Sequence, residues 1–279
     1  NSSTDASIWR TNFEYGDVQS NGTVDGSKNT GNIGKQTLSL PGVVNPIVQT
    51  FKYDSLDRLV EAEEKTNNQQ SWIQQFGYDR YGNRNTFNQL IGQISQNLTP
   101  TIDQSTNRFV AGQGFIYDLS GNVIRDVEGR QFTFNGDNKQ VKVMDSQNSV
   151  IGEYFYDGEG KRVKKVTNLE TTIFVYAAGK LIAEYSTQPV QNPTISYTTT
   201  DHLGSPRIIT DAYGQVSSRR DFMPFGEELG AGIGNRTTGQ KYSLSGIDNV
   251  RQRFTGYEKD SETGLDFAEA RYYSNTHGR

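Results

Sequence analysis

Asp201, His202 and Ser205 fall within one five-residue stretch, and they are the residue types of a hydrolase's acid, base and nucleophile. A triad works only where the three side chains converge in space, which adjacency along a chain does not arrange. With Gly204 and Pro206 shaping a bend, the same residues read as a turn whose Asp and His bond backbone. His202 and His277 are the two histidines, and there is no cysteine. Disulfides, thiolate chemistry and Cys-based zinc sites are therefore excluded, and two His alone make a poor metal set. Asp157-Gly158-Glu159-Gly160 and the stretch Asp118 to Asn122 lack the alternating oxygen ligands and closing Glu of a calcium loop. Gly230-Ala231-Gly232-Ile233-Gly234 is not followed by Lys-Ser/Thr, so it is not a phosphate loop. Arg219-Arg220-Asp221 and Arg251/Arg253 read as exposed ion pairs where two layers meet, of small energetic worth. The expectation is a non-enzymatic chain with no catalytic, cofactor-binding or metal-binding residue.

The elements that would position these residues are strands. Of 279 residues a third are hydrophobic, with 15 Tyr, 14 Phe and 29 Gly but 2 Met and 2 Trp. That mixture suits many short strands with tight turns and polar outer faces, hence an all-β fold. The net charge of −4 is spread without blocks of either sign, which excludes a nucleic-acid stripe or a polybasic membrane patch. No apolar run is long enough for a transmembrane helix. A start at Asn1 without Met or a signal peptide reads as a piece of something longer.

A degenerate repeat runs through the middle of the chain: an aromatic, Asp or Asn, a few turn residues, then Asn, Arg or Lys. Copies begin at Tyr53-Asp54, Tyr78-Asp79, Tyr117-Asp118 and Tyr156-Asp157, with Phe134-Asn135 and Tyr176 as decayed copies. The spacing between the aromatics, 25, 39, 17, 22 and 20 residues, suits one hairpin plus its connection. The aromatic ends the incoming strand, Asp starts the turn by bonding backbone, and Gly supplies the positive φ. Rings are expected to pack cross-strand beneath Arg stems. DRLVEAEE, from Asp57, reads as a strand. Residues 1–50 read as an irregular leading segment with short strands, 51–200 as the hairpin sheet and 201–279 as a cap. Gln89 to Arg108 reads as an insertion and Gly226 to Val250 as a long loop.

The repeats resemble the YD repeats of the rearrangement-hotspot (RHS) family, and the last third resembles the RHS-associated core. The residues that carry this are Asp201-His202-Leu203-Gly204-Ser205-Pro206-Arg207, then Asp211 to Val216, and Asp221-Phe222-Met223-Pro224-Phe225-Gly226-Glu227. After them come Arg253-Phe254-Thr255-Gly256-Tyr257, Asp260 to Leu265 with Gly264, and Ala270-Arg271-Tyr272-Tyr273. The resemblance covers roughly residues 50 to 279. It implies a β-sheet strip wound into a hollow, barrel-like shell closed by the core, which in bacterial toxins encloses a C-terminal toxic domain. Teneurins use a similar shell in cell-surface adhesion. The family's aspartyl self-cleavage site lies just after the core. Here Tyr272-Tyr273 is followed by Ser274-Asn275 where the family usually has Asp-Pro, and the chain stops at Arg279, so this piece is not expected to cut itself.

Some 20 strands at about 4.8 Å would make a strip on the order of 100 Å wide, which rolls to a diameter of roughly 30 Å. A folded domain of 100 residues needs about as much, so one turn of sheet would not enclose one. The resemblance implies a secreted or surface-associated shell section whose partner is its own C-terminal effector. Alternatives are an adhesin-like module binding a glycan or protein, and part of a self-cleaving core whose catalytic residues lie beyond Arg279. No nucleic-acid partner and no cofactor is expected.

Overall fold

The computed structural model describes residues 9–188, 195–243 and 250–279. The chain packs as two compact units: residues 1–100, 196–200 and 207–249 form the first, and 101–195, 201–206 and 250–279 the second. Among the described residues the only helical pieces are four three-residue 3₁₀ turns, and the remaining elements are strands. The all-β expectation holds.

In the first unit the strands are β1 (Arg10–Tyr15), β2 (Asp17–Val18), β3 (Val24–Asp25), β4 (Ile33–Ser39), β5 (Ile47–Tyr53), β6 (Leu59–Thr66), β7 (Gln69–Tyr78), β8 (Arg84–Ile91) and β9 (Ile94–Asn97). Seven of them make an antiparallel sheet in the order β1-β4-β5-β6-β7-β8-β9, while β2 and β3 form a separate ribbon. The DRLVEAEE stretch supplies β6, as its alternation requires. The stretch from Gln89, expected as an insertion, instead continues the sheet with a further hairpin, β8–β9, because Gly92 provides its positive φ. Of residues 1–50, those from Arg10 onward supply β1, β4 and the start of β5; residues 1–8 lie outside the described residues.

The second unit continues with β10 (Ile102–Asp103) and β11 (Arg108–Phe109), a short ribbon. There follow β12 (Ile116–Tyr117), β13 (Val123–Arg125), β14 (Gln131–Phe134), β15 (Gln140–Met144), β16 (Val150–Tyr156), β17 (Arg162–Thr167), β18 (Thr171–Ala177) and β19 (Lys180–Ser186). These eight pair in sequence order as one antiparallel meander. The last third contributes β20 (Ser196–Thr200), β21 (Pro206–Asp211), β22 (Val216–Arg219), β23 (Asp221–Phe222), β24 (Glu228–Leu229), β25 (Glu258–Asp260), β26 (Leu265–Ala268) and β27 (Arg271–Tyr273). They form sheets β20-β21-β22, β23-β24 and β25-β26-β27.

The 27 strands of the described residues are divided among seven sheets, none of which closes into a barrel. The ladder breaks after β9, where Pro100 has no N–H to donate and the chain passes through the β10–β11 ribbon and the Ala111–Gln113 turn.

One turn design recurs nine times, at Asp54, Asp79, Asp118, Asp126, Asn135, Asp145, Asp157, Asp201 and Asp211. In each, the first residue's N–H donates to the carbonyl four residues on and its carbonyl accepts from the N–H three on. Its side-chain Oδ1 accepts the N–H of the fourth residue. The fourth position of the turn always has positive φ and is Gly, Asn or Asp, for example Gly82 at 81° and Asn138 at 56°. That is a type I turn closed by a bulge, and only residues tolerant of the left-handed region fit there. The Tyr176 hairpin differs: it turns through Ala178 and Gly179, both at positive φ, in the two-residue manner.

The aromatic of the repeat links each hairpin to the one before. The bulge leaves the first outgoing residue with a carbonyl that the next tyrosine bonds. Tyr53 Oη donates to Ile33, Tyr78 to Leu59, Tyr156 to Gln140 and Tyr176 to Arg162, at 2.7–3.2 Å. The residue just before that carbonyl holds a cation over the same ring: Arg58 over Tyr78, Lys139 over Tyr156, Lys161 over Tyr176. Each turn thus fixes the ring of its successor. The Tyr156→Phe variant should lose about 1–2 kcal/mol, one half-buried hydrogen bond plus its stranded carbonyl, seen as a lower urea midpoint at unchanged m-value.

Core segments cover one face of each large sheet. In the first unit Met223 and Leu229 pack on Ala62 and Trp72, and Tyr242 packs on Leu38, Leu40 and Ile47. In the second, Leu265 packs on Phe132, Val143 and Tyr154.

Candidate functional site

The expected turn at Asp201 is found. Asp201 Oδ1 accepts the backbone N–H of Leu203 and Ser205. Ser205 is fully buried, and its Oγ accepts from the Thr255 N–H at 2.9 Å. Gly204 and Gly256 lie backbone against backbone, with a Cβ at Gly256 meeting the Gly204 carbonyl at 3.4 Å and both residues at positive φ. Pro206 and Arg207 begin β21. Pro224, Gly226 and Glu227 form the turn between β23 and β24, and Gly264 the turn between β25 and β26. Arg271, Tyr272 and Tyr273 are β27. No group of three or more potential metal ligands exists among the described residues.

Ser274 closes a loop. Its Oγ bonds His277 Nδ1 at 2.8 Å and accepts the His277 N–H, while its carbonyl accepts from Gly278.

What sequence reading placed on the surface is buried in the first unit. Asp221 and Arg220 are each 1% exposed. Arg236, inside the stretch expected to be a long loop, is fully buried. It grips Glu64 of β6 with two bonds of 2.7 and 2.8 Å, and Asp221 with Nε at 2.7 Å. Arg207 also pairs with Asp221, Tyr242 Oη donates to it at 2.8 Å, and Gln49 donates to Glu64 at 2.8 Å. Two cations meet two carboxylates, so the cluster is neutral. Burial alone would raise the Asp221 carboxyl, but Arg236 and Arg207 hold it below the usual range. The 226–250 stretch therefore corrects to β24, a Thr238–Gln240 turn and this anchor; residues 244–249 lie outside the described residues.

The second unit carries a cluster of opposite design. The bulge where Tyr156 pairs Arg162 and Phe155 pairs Lys164 resets the alternation, so Arg162 and Lys165, three apart, both point inward. They are 1% and 3% exposed. Regular alternation along β25 puts Glu258 and Asp260 on one face. Arg162 forks onto Asp260 at 2.6 and 3.0 Å and reaches Glu258 at 2.7 Å. Lys165 Nζ sits 2.9 Å from Asp260 and 3.1 Å from Glu258. The Arg162 guanidinium also lies over the Phe267 ring at 3.9 Å. Tyr154 Oη donates to Glu262 at 2.6 Å, a third carboxylate against two cations. Burial pushes the Glu262 carboxyl up, and the charge of Asp260 adds to it.

A buried lysine touching a buried carboxylate has the geometry for an intramolecular amide. Condensation needs a neutral amine and a neutral acid. Burial would push the Lys165 ammonium down, but Asp260, Glu258 and Glu262 hold it above its usual range, so the amine stays charged. The cluster is an ion pair that locks β25 onto β17. Arg251, half-buried, adds a bidentate pair to Glu170.

Asp266, on the central strand β26, is 1% exposed, with Lys259 at 3.8 Å from its Oδ1. Burial pushes its carboxyl up to about 6, against the pull of Lys259 and Arg253. Between its ordinary value and 6 the folded chain holds a proton that the unfolded chain does not. Stability from this group therefore rises as pH falls from 7 towards 4, by on the order of 2 kcal/mol. The turn carboxylates of Asp54, Asp79 and Asp118 are lowered, chiefly by side-chain bonds from Arg58, Asn83 and Asn122, so their contribution is lost as pH falls below the usual carboxylate range. Thermal unfolding should show a maximum on the acid side of neutrality, which Asp266→Asn removes.

No family model matches the chain. It is 26% identical over 245 residues to the tRNA nuclease WapA of Bacillus subtilis (strain 168), covering 81% of this chain and 10% of that protein. It is 25% identical over 246 residues to the tRNA3(Ser)-specific nuclease WapA of Bacillus spizizenii, again covering 81% of this chain and 10% of the relative. The chain thus spans about a tenth of the length of the curated relatives it matches. Among solved structures, the crystal structure of TcdB2-TccC3-Cdc42 matches 98% of this chain and 16% of its own, with a TM-score of 0.69 at 18% identity. The Tc holotoxin pore of Photorhabdus luminescens matches 97% of this chain and 16% of its own, with a TM-score of 0.63 at 17% identity. These likenesses show the fold: an all-β section of the kind found in those toxin chains.

Proposed function

We propose that the chain is a non-enzymatic section of an RHS-type shell, which in the whole protein encloses or presents a C-terminal effector. The observation that carries this is the match of nearly the entire chain to one part of a much longer toxin chain. The sequence similarity to WapA nucleases supports it, again over a small share of a long protein. The two buried clusters suit the role, since they bind core segments to repeat sheets by ion pairs and hold no substrate-sized space of their own. The same reading makes the whole protein secreted or surface-associated, with its own effector as partner.

The test is limited proteolysis of the natural full-length protein. Protection of the segment after Arg279 for as long as residues 9–279 stay folded supports enclosure. Digestion of that segment while this section remains intact would overturn it. The chain alone should leave tRNA uncut, and spontaneous cleavage in protein extended past Arg279 would move the chemistry to residues beyond it.

A further inference from the structure

The second unit contains a cavity of about 890 Å³ between its repeat turns and the end of the core, within the roughly 300–1,000 Å³ usual for ligand sites. Four cations line it, Arg130, Lys139, Arg271 and Arg279, against three carboxylates, Asp126, Glu128 and Glu269. Arg130 takes both Asp126 and Glu128. Lys139 Nζ and Arg279 Nη2 donate to backbone carbonyls, of Glu269 at 3.3 Å and Asn107 at 3.0 Å. Among the described residues neither of them, nor exposed Arg271, has a carboxylate partner. The lining therefore carries cations whose charge is not offset within the protein.

Several aromatic rings of the lining are already partnered. Phe109 and Phe115 stack on each other at 4.5 Å, and Arg279 lies over Phe109. Arg108 lies over Tyr117 and Lys139 over Tyr156. With those rings taken, the groups that face the cavity for recognition are chiefly charged and hydrogen-bonding ones. Asn122 spends its amino group on Asp118 and Asn138, which leaves the Asn122 carbonyl and the Asn138 amino group for a ligand. Such acceptor and donor groups suit hydroxyls.

We infer that this cavity binds an acidic carbohydrate, a short saccharide carrying carboxylates, with Lys139 and Arg271 on its charged groups and the two asparagines on its hydroxyls. This site goes beyond the shell reading and does not depend on it.

Calorimetric titration of the chain with trigalacturonate, and in parallel with cellotriose, inorganic phosphate and AMP, tests the inference. Trigalacturonate should bind, and the exposed Arg271→Glu change should weaken it by at least about tenfold by reversing one contact charge. Lys139→Ala should weaken it too, with an unchanged circular dichroism spectrum. Cellotriose should not bind. Absence of trigalacturonate binding, equal binding of cellotriose, tighter binding of AMP, phosphate binding as strong as the saccharide's, or no effect of Arg271→Glu would each overturn it.

Discussion

Replacing Arg236 with Ala lowers the stability of the first unit by about 3–5 kcal/mol, because it strands buried Glu64 and leaves buried Asp221 with Arg207 as its remaining cation. Glu64 and Asp221 are 0% and 1% exposed, and the Arg236 guanidinium bridges them. Both tryptophans, Trp9 and Trp72, belong to the first unit, so the tryptophan fluorescence transition in urea reports on it selectively. The double change Glu64→Met with Arg236→Met should cost less than Arg236→Ala alone, since it removes charge from both sides of the pair. Equal or additive losses would show that the pair is not coupled.

The second large effect is at Arg162. Its removal leaves fully buried Asp260 with Lys165, and Glu258 with Lys165 and a distant Arg251, and should cost the second unit about 3–5 kcal/mol. Glu262→Gln in the same cluster should be nearly neutral at pH 7, because Glu262 is the carboxylate in excess and burial already raises it. Amide hydrogen exchange along β17 and β25 reads both changes within the second unit. A severe loss from Glu262→Gln would mean that its charge is needed, against this electrostatic account.

The local rules were written in the sequence more plainly than the long-range ones. Tyr78-Asp79 and Tyr156-Asp157 announce their hairpins because Asp and Gly fix the turn within five residues. Asp126, Asp145, Asp201 and Asp211 make the same turn, yet they lack the preceding aromatic that defined the repeat. An Asp followed three residues later by Gly or Asn was the fuller signal, and it shows that the core continues the turn design of the repeats.

The clusters were not legible, for two physical reasons. A bulge reverses strand parity, so the inward direction of Lys165 cannot be counted off from Arg162. Partners also lie far apart, Glu64 and Arg236 by 172 positions and Arg162 and Asp260 by 98, and nothing local to Arg236, in a Gly-rich stretch, marks it as buried. The division of the strip into separate sheets was hidden for a related reason. Hairpin spacing specifies neighbours, whereas the place where the ladder breaks depends on a connection, residues 98–115, with no repeat signal.

The shell reading is tested most directly by an electron cryomicroscopy reconstruction of the full-length protein. The account predicts a hollow β wall that includes residues 9–279, with density for the C-terminal domain inside it. A reconstruction with that domain outside the wall, or with no hollow at all, would contradict it.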